Sequence, residues 1–170
     1  MGRAASSLLL GLAVCLAAVS CRRAEGAERG TVEVRVQTVA LDDRSQSPVV
    51  ILEERAGARR LPIWIGHAEA SSIVNQLHKV ESLRPNTHDL AKRLIDGLEG
   101  RVVRVVVTDL AGGVYYARIV LARTSGSVEI DARPSDAIAI ALRFEAPLFV
   151  DERLFEKALE ATGGEGGHRI

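Results

Sequence analysis

The stretch Asp131-Ala-Arg-Pro-Ser-Asp-Ala-Ile-Ala-Ile-Ala-Leu-Arg143 joins a short charged segment to a nearly apolar helix. Pro134 suits the first turn of a helix, where its missing N–H has no intrahelical partner to lose. Asp136 follows in the same turn, where the helix dipole favours a negative charge. Because alanine, isoleucine and leucine fill most of the helix, it is predicted to be buried on most sides. A charged entry into a buried helix indicates either a functional site or a tight structural cap.

The segments before this helix repeat an arrangement found earlier in the chain. In each half, three strand-like segments separated by turns lead to a helix. The predicted ranges are 32–36, 49–52, 61–65 and 68–80 in the first half, and 102–109, 115–121, 128–130 and 134–144 in the second. An offset of 67 residues aligns the halves without a gap and pairs Glu69 with Asp136. We therefore predict a duplicated β-β-β-α unit.

Two further segments complete the predicted fold. Between the halves, Asn86 or Thr87 can cap a connecting helix, whose apolar face contains Leu90, Leu94, Ile95 and Leu98. After the second half, a strand over 146–150 precedes a helix over 152–161 that Asp151 caps. The predicted class is α+β, a duplicated β-β-β-α unit with a connecting helix and a C-terminal strand-helix.

The N-terminus has the pattern of an export signal. Arg3 precedes an apolar run over 8–19 that is too short to span a bilayer. The run ends in Ala18-Val19-Ser20-Cys21, which resembles a bacterial lipobox. We predict a lipoprotein-type signal peptide over 1–20, lipidation of Cys21, a tether over 21–30, a domain over 31–160 and a flexible tail over 161–170. The alternative is an ordinary secretory signal with an incidental cysteine. The lipidated form would be an exported bacterial lipoprotein, anchored in the membrane and facing the periplasm.

Composition limits the classes of partner. The chain has 22 Lys and Arg against 22 Asp and Glu, and removal of Arg3 with the leader leaves an excess of one acidic residue. This balance gives no support for broad electrostatic binding to nucleic acid, which usually needs a basic surface. Aromatic residues make up only 4% of the chain, so stacking platforms for single strands are not expected either.

Four motifs in a fixed order resemble a known family. They are Leu61-Pro-Ile-Trp-Ile-Gly66 with Glu69-Ala70, then Arg84-Pro85-x-Thr87-His88-Asp89-Leu90, then Asp109-Leu110 with Tyr116-Ala117, and Asp131 to Ala139. Together they resemble the bifunctional nuclease domain family from about Thr31 to Ala158. The resemblance implies a compact α+β fold that self-associates into a homo-oligomer, and nuclease activity on DNA and RNA. Asn86 departs from the family pattern, which is usually apolar at that position.

The implied chemistry is phosphodiester hydrolysis, which usually needs carboxylates that hold Mg²⁺ or Mn²⁺. Candidate metal ligands are Glu69, Asp89, Asp131 and Asp136, with Asp42 and Asp109 as more distant candidates. Candidate catalytic residues are His88 as general base or ligand, Arg133 as a phosphate clamp, and Asp89 and Asp136. Sequence motifs for zinc hydrolysis, nucleotide hydrolysis and serine esterase chemistry are absent from the chain.

Each candidate also has a structural interpretation. Glu69 and Asp136 can simply complement helix dipoles, and Arg133 can form an ion pair with Asp131. The pair His88-Asp89 can be a helix cap, and Trp64 can belong to the core or to an interface. The rival function is therefore a non-catalytic oligomeric scaffold or interaction module of the cell envelope. A nuclease needs its carboxylates clustered on an open surface, whereas a scaffold would satisfy them locally and expose an apolar patch.

Overall fold

The computed structural model describes residues 28–163, and the predicted signal peptide, Cys21 and the end of the predicted tail lie outside this range. These residues form seven strands and four helices, which confirms the α+β class. The strands are β1 (Thr31–Leu41), β2 (Pro48–Glu54), β3 (Arg60–Trp64), β4 (Arg101–Ala111), β5 (Val114–Arg123), β6 (Gly126–Ala132) and β7 (Leu148–Asp151). The helices are α1 (His67–Leu77), α2 (Thr87–Gly97), α3 (Pro134–Phe144) and α4 (Arg153–Gly163). None of these four helices is both long and apolar enough to cross a bilayer.

All seven strands form one sheet in the order β3-β2-β1-β7-β4-β5-β6. Each half of the chain contributes an antiparallel three-stranded unit, with β2 and β5 as the middle strands. The short strand β7 joins the two units because Leu148 pairs with Val34 of β1 on one side and with Val105 of β4 on the other. The β4–β7 pairing is parallel and the others are antiparallel.

The duplication is visible in the order of elements. The unit β1-β2-β3-α1 recurs as β4-β5-β6-α3, and the helix bounds 67–77 and 134–144 differ by the predicted 67 residues at both ends. Gly66 and Arg133 are therefore equivalent N-cap positions. The two helices also pack against each other, so the repeat brings equivalent residues of the two halves together.

The core is built around α3, as its apolar sequence predicts. Ala137, Ile138, Ala139 and Ala141 are fully buried. They share one cluster with buried residues of β2, β4 and β5 and with Ile73 of α1. Small alanine side chains let the helix approach its neighbours closely, and the isoleucine fills the remaining space.

The sheet is strongly curved. The β3 and β5 strands are five positions apart in the strand order, so a flat sheet would separate them by about 24 Å. Instead, the Tyr115 hydroxyl of β5 lies 3.5 Å from the Pro62 carbonyl oxygen of β3. The curvature therefore brings the two ends of the sheet together beside the N-termini of α1 and α3.

Several predicted details are wrong. The α1 helix ends at Leu77 and not at Val80, because Lys79 adopts a left-handed conformation and the Val80 N–H bonds the Asn75 carbonyl. This is a Schellman motif without its usual glycine, so no glycine marks the end of the helix in the sequence. The β6 strand extends to Ala132, which puts Asp131 on the strand instead of at the helix entry. Trp64 is 46% exposed, so the core alternative for this residue is wrong and the interface alternative stays a prediction.

Candidate active site at the ends of the repeated helices

The guanidinium of Arg133 lies between two carboxylates, one from each repeat. Its Nε donates to Asp136 Oδ2 at 2.7 Å, and its Nη2 donates to Asp136 Oδ1 at 3.0 Å. The same Nη2 donates to Glu69 Oε1 at 2.6 Å. The Arg133 side chain is 66% exposed, whereas those of Glu69 and Asp136 are 15% and 29% exposed. One exposed arginine therefore rests on two largely buried acids.

The repeat explains why these two acids meet. Glu69 and Asp136 each occupy the third position of their helix, α1 and α3, where the dipole stabilises a negative charge. Gly66 leaves room for this arrangement, because a Cβ at that position would overlap the Glu69 carboxylate. The dipole interpretation and the site interpretation of the two acids are therefore compatible.

Both carboxylates are stabilised in their ionised form. Burial raises the pKa of Asp136, but hydrogen bonds from Arg133 and His88 outweigh it, so the pKa lies below its ordinary value of 3.8. The pKa of Glu69 lies below its ordinary value of 4.5 because of a hydrogen bond from its own backbone N–H and one from Arg133. The two acids in turn raise the pKa of Arg133. The cluster is fully charged at neutral pH.

A buried polar chain continues from Asp136 into the protein. His88 Nε2 lies 3.1 Å from Asp136 Oδ1, and His88 Nδ1 lies 2.9 Å from Ser72 Oγ. Ser72 Oγ also accepts hydrogen bonds from Arg143 Nη2 at 2.9 Å and Asn86 Nδ2 at 3.1 Å. Because these two donors use both lone pairs of the hydroxyl, its own proton points to His88 Nδ1. The His88 proton is then on Nε2, which donates to Asp136.

Arg143 anchors the far end of this chain. Its side chain is only 4% exposed, and its Nε donates to Asp89 Oδ1 at 2.7 Å. Its Nη1 donates to the Ala139 carbonyl at 2.8 Å, which satisfies a second side of the guanidinium. Burial raises the pKa of Asp89, but hydrogen bonds from the Asn86 N–H and from Arg143 lower it by more. The pKa of Asp89 therefore lies below its ordinary value. The buried charge is thus paired and hydrogen-bonded on every nitrogen.

Asn86 and Asp89 also begin α2. The Asn86 side chain accepts from the N–H groups of His88 and Asp89, and the Asp89 carboxylate accepts from the Asn86 N–H. This reciprocal pair is a capping box. The cap interpretation of His88-Asp89 is therefore confirmed for Asp89, and it holds His88 where it can reach Asp136.

Comparison with known proteins identifies the family to which this fold and motif set belong. A family model described as bifunctional nuclease domain matches residues 50–162. The chain belongs to the bifunctional nuclease domain family. An uncharacterized protein of Mycobacterium tuberculosis is 40% identical over 126 residues, which is 74% of this chain and 75% of that protein.

Plant members of the family are more distant and longer. A protein of Arabidopsis thaliana named bifunctional nuclease 1 is 31% identical over 120 residues, covering 67% of this chain and 36% of that protein. A rice protein of the same name (Oryza sativa subsp. indica) is 26% identical over 135 residues, covering 76% of this chain and 40% of that protein. The similarity therefore spans well under half of these named nucleases.

The family motifs bring together some of the predicted site residues and separate others. Glu69, Arg133, Asp136 and His88 form one continuous cluster. Asp89 belongs to the same network, but Arg143, Ser72 and Asn86 are the groups that connect it. Asp131 is exposed on β6 opposite Arg118, and Arg133 pairs with Glu69 and Asp136 instead of with Asp131.

The predicted metal ligands do not fit a resident divalent cation in this arrangement. Within residues 28–163, no group of three or more His, Cys, Asp or Glu side chains could hold a metal ion. Glu69, Asp89 and Asp136 are each engaged by an arginine. The distant candidates have other partners, since Asp42 accepts from Trp64 and the Arg44 N–H, and Asp109 accepts from Lys157.

Sequence reasoning missed three members of this network, namely Ser72, Asn86 and Arg143. Arg143 carried a usable signal, because an arginine in an otherwise apolar helix must find a buried partner or reach the surface. Asn86 was noted only as a family departure and as a cap. Its second role, as a partner of Ser72 and Arg143, depends on the packing of α2 against α3.

Replacement of Arg143 tests how much the buried network contributes to stability. Arg143→Met is expected to lower the free energy of unfolding by about 3 kcal/mol, because Asp89 and Ser72 lose a buried donor. Urea denaturation at neutral pH measures the change. Arg153→Met is the matched control, since that arginine is 74% exposed in its pair with Asp151 and its loss should lower the free energy of unfolding much less. Equal losses in both variants would contradict the assigned role of Arg143.

The lowered pKa values of Glu69 and Asp136 predict an acid-dependent loss of stability. Folding depresses both pKa values, so their contribution is present above the ordinary values of 4.5 and 3.8 and is lost as pH falls through the folded values. The free energy of unfolding of the wild type should therefore fall as pH drops below about 4.5. Arg133→Gln should reduce this dependence on pH without abolishing it. The Asp89–Arg143 ion pair is unchanged in this variant and still lowers the pKa of Asp89. An unchanged slope in urea titrations across this range would refute the assignment.

Proposed function

We propose that this chain is a nuclease that hydrolyses phosphodiester bonds of DNA or RNA. The observation that carries the proposal is the guanidinium of Arg133. Its Nε and Nη2 are held by Asp136 and Glu69, while Nη1 donates no hydrogen bond to any of residues 28–163. A fixed, exposed guanidinium with a free Nη1 can donate a charge-assisted hydrogen bond to a phosphate oxygen. Membership of the bifunctional nuclease domain family supports the same activity.

In this proposal, Arg133 donates from Nη1 to the phosphate that is attacked. Glu69 and Asp136 hold the guanidinium in one orientation, which reduces the entropy lost on binding. Asp136 is ionised and partly exposed, so it can orient an attacking water. As the water oxygen bonds to phosphorus and the P–O bond to the leaving oxygen breaks, Asp136 takes up the water proton and passes it to the leaving oxygen. His88 fixes Asp136 by donating from Nε2 and acts as a positioning residue. Because two acids face one arginine, we expect phosphate binding to be weak. The positive ends of the helix dipoles at the N-termini of α1 and α3 partly offset this negative charge.

Dependence of cleavage on Mg²⁺ or Mn²⁺ is kept apart from the roles assigned to these residues. A bound divalent ion would lower the pKa of an attacking water and neutralise phosphate charge. The arginine-paired arrangement of the carboxylates does not provide a site for it, so no step above depends on a metal. The cleavage assay therefore compares Mg²⁺, Mn²⁺ and EDTA.

Arg133→Gln should reduce the cleavage rate of plasmid DNA and RNA by about tenfold or more, because charge-assisted hydrogen bonds to phosphate contribute about 1.5–3 kcal/mol. Asp136→Asn should reduce it as well, since the amide cannot take up a proton. The assay uses the purified full-length chain and follows initial rates by gel. Arg153→Gln is the control, because it removes an exposed arginine elsewhere on the surface and should leave the rate unchanged.

The outcomes separate the residues of the site. If Asp89→Asn abolishes cleavage in a folded protein while Arg133→Gln does not, the chemistry lies at the α2 cap and the assignment to Arg133 is wrong. If the folded wild type cleaves neither substrate under any of the three metal conditions, the nuclease proposal fails.

A second candidate function is a non-catalytic oligomeric scaffold. Leu90, Leu94 and Leu98 of α2 are 51%, 58% and 77% exposed, which leaves an apolar stripe on the surface. The local pairing of Glu69, Asp89 and Asp136 with arginines is also the arrangement expected of a scaffold. A folded homo-oligomer that lacks cleavage activity would favour this function over the nuclease.

We also propose that the chain is an exported bacterial lipoprotein, held at the membrane on its periplasmic side through Cys21. The support is the apolar run over 8–19 that ends in Ala18-Val19-Ser20-Cys21. Growth of a producing bacterium with radiolabelled palmitate should label the wild type and the control Cys15→Ser, whose cysteine lies inside the signal. Cys21→Ser should carry no label. Equal labelling of Cys21→Ser and the wild type would disprove the anchor.

A further inference from the structure

A cavity of about 370 Å³ opens beside Arg133, where the curved sheet brings its two ends together. Its volume lies within the range of about 300–1,000 Å³ that is typical of small-molecule sites. Trp64 and Ile65 line one side, Val114 and Tyr115 line another, and Arg133 and Pro134 lie at the start of α3. The cavity therefore combines aromatic and aliphatic surface with one fixed cation.

Trp64 is held in place although much of its ring is exposed. Its Nε1 donates to Asp42 Oδ2 at 2.8 Å, and the other Asp42 oxygen accepts from the Arg44 N–H at 2.9 Å. These contacts fix one edge of the indole against the β1–β2 turn. Exposing a large aromatic ring to water is unfavourable, so a restrained, 46% exposed tryptophan is a surface suited to a flat apolar partner.

Two different groups thus line one cavity, a restrained tryptophan and an arginine with a free Nη1. A nucleotide carries the matching pair, a planar base and an anionic phosphate. We propose that this cavity binds one unpaired nucleobase of single-stranded DNA or RNA, stacked on Trp64, with the adjacent phosphate on Arg133. This inference rests on the proposed function and specifies its substrate class.

The unpaired state follows from the chemistry of stacking. In a duplex, both faces of each base are covered by neighbouring bases, so a base reaches an indole only from a single strand, a loop or a frayed end. Duplex binding usually needs a broad basic surface, which the balanced charge of this chain does not favour. The low aromatic content of the chain is unfavourable for a surface that stacks many successive bases. A site for one base needs only one aromatic ring.

Trp64 is the one tryptophan of the sequence, so its fluorescence reports directly on this cavity. The purified full-length chain is titrated in EDTA with a short DNA oligonucleotide, with the same oligonucleotide annealed to its complement, and with the RNA of the same sequence. Both single strands should quench the Trp64 emission, and the duplex should not. Single strands without quenching, or equal quenching by the duplex, would overturn the inference.

Variants test whether the ring contributes to affinity. Trp64→Leu should weaken binding of a dye-labelled single strand by roughly 5- to 150-fold in fluorescence anisotropy, the range expected for one stacked base. Trp64→Phe should retain most of the affinity. Tyr116→Leu is the matched control, because Tyr116 is 45% exposed but does not line the cavity. Equal effects of Trp64→Leu and Tyr116→Leu would refute stacking on Trp64.

This experiment can fail independently of the proposed function. Cleavage with no quenching and no effect of Trp64→Leu would leave the nuclease intact and reject the base site. Quenching by single strands in a protein that never cleaves would support the base site and reject the nuclease.

Discussion

A buried guanidinium organises the helical part of this protein. Arg143 is almost completely enclosed, and a charge in that position is tolerated only when its hydrogen bonds are made. Asp89, Ser72 and the Ala139 carbonyl make them, and they come from α2, α1 and α3. The three helices therefore cannot shift independently without leaving a buried charge unpaired. The position of His88, and through it that of Asp136, depends on this constraint.

The exposed arginine of the site is connected to the same network. Arg133 rests on Asp136, Asp136 accepts from His88, and His88 accepts from Ser72, which Arg143 holds. A surface cation is thus linked to the core by an unbroken series of hydrogen bonds. Such a series reduces the freedom of a long side chain, which is the property that a phosphate-binding arginine requires.

The sequence was sufficient to predict the fold class, the duplication and the burial of α3, because these depend on periodic apolar patterns that each segment carries by itself. The offset of 67 also paired Glu69 with Asp136 correctly, although only the packing of α1 on α3 shows that one arginine bridges them. The end of α1 was predicted wrongly because Lys79 adopts the left-handed conformation that usually requires glycine. Alternation along β3 allows Trp64 a place in the core or at an interface, and the core alternative is wrong because the pattern of one strand does not reveal the curvature of the whole sheet. In the buried network, Arg143 carries a signal in the sequence, but its partners Asp89 and Ser72 do not, because they lie 54 and 71 positions away along the chain.

The two repeats differ in the residue at the N-cap of their helices. The N-cap of α3 is Arg133, while the equivalent N-cap of α1 is Gly66. Two related halves therefore build a site with a single cationic arm, and on the glycine side the Glu69 carboxylate lies where a second side chain would begin. A polymer that lies across both halves meets a guanidinium at one N-cap and a glycine at the other. Its two possible orientations on the site are therefore not equivalent.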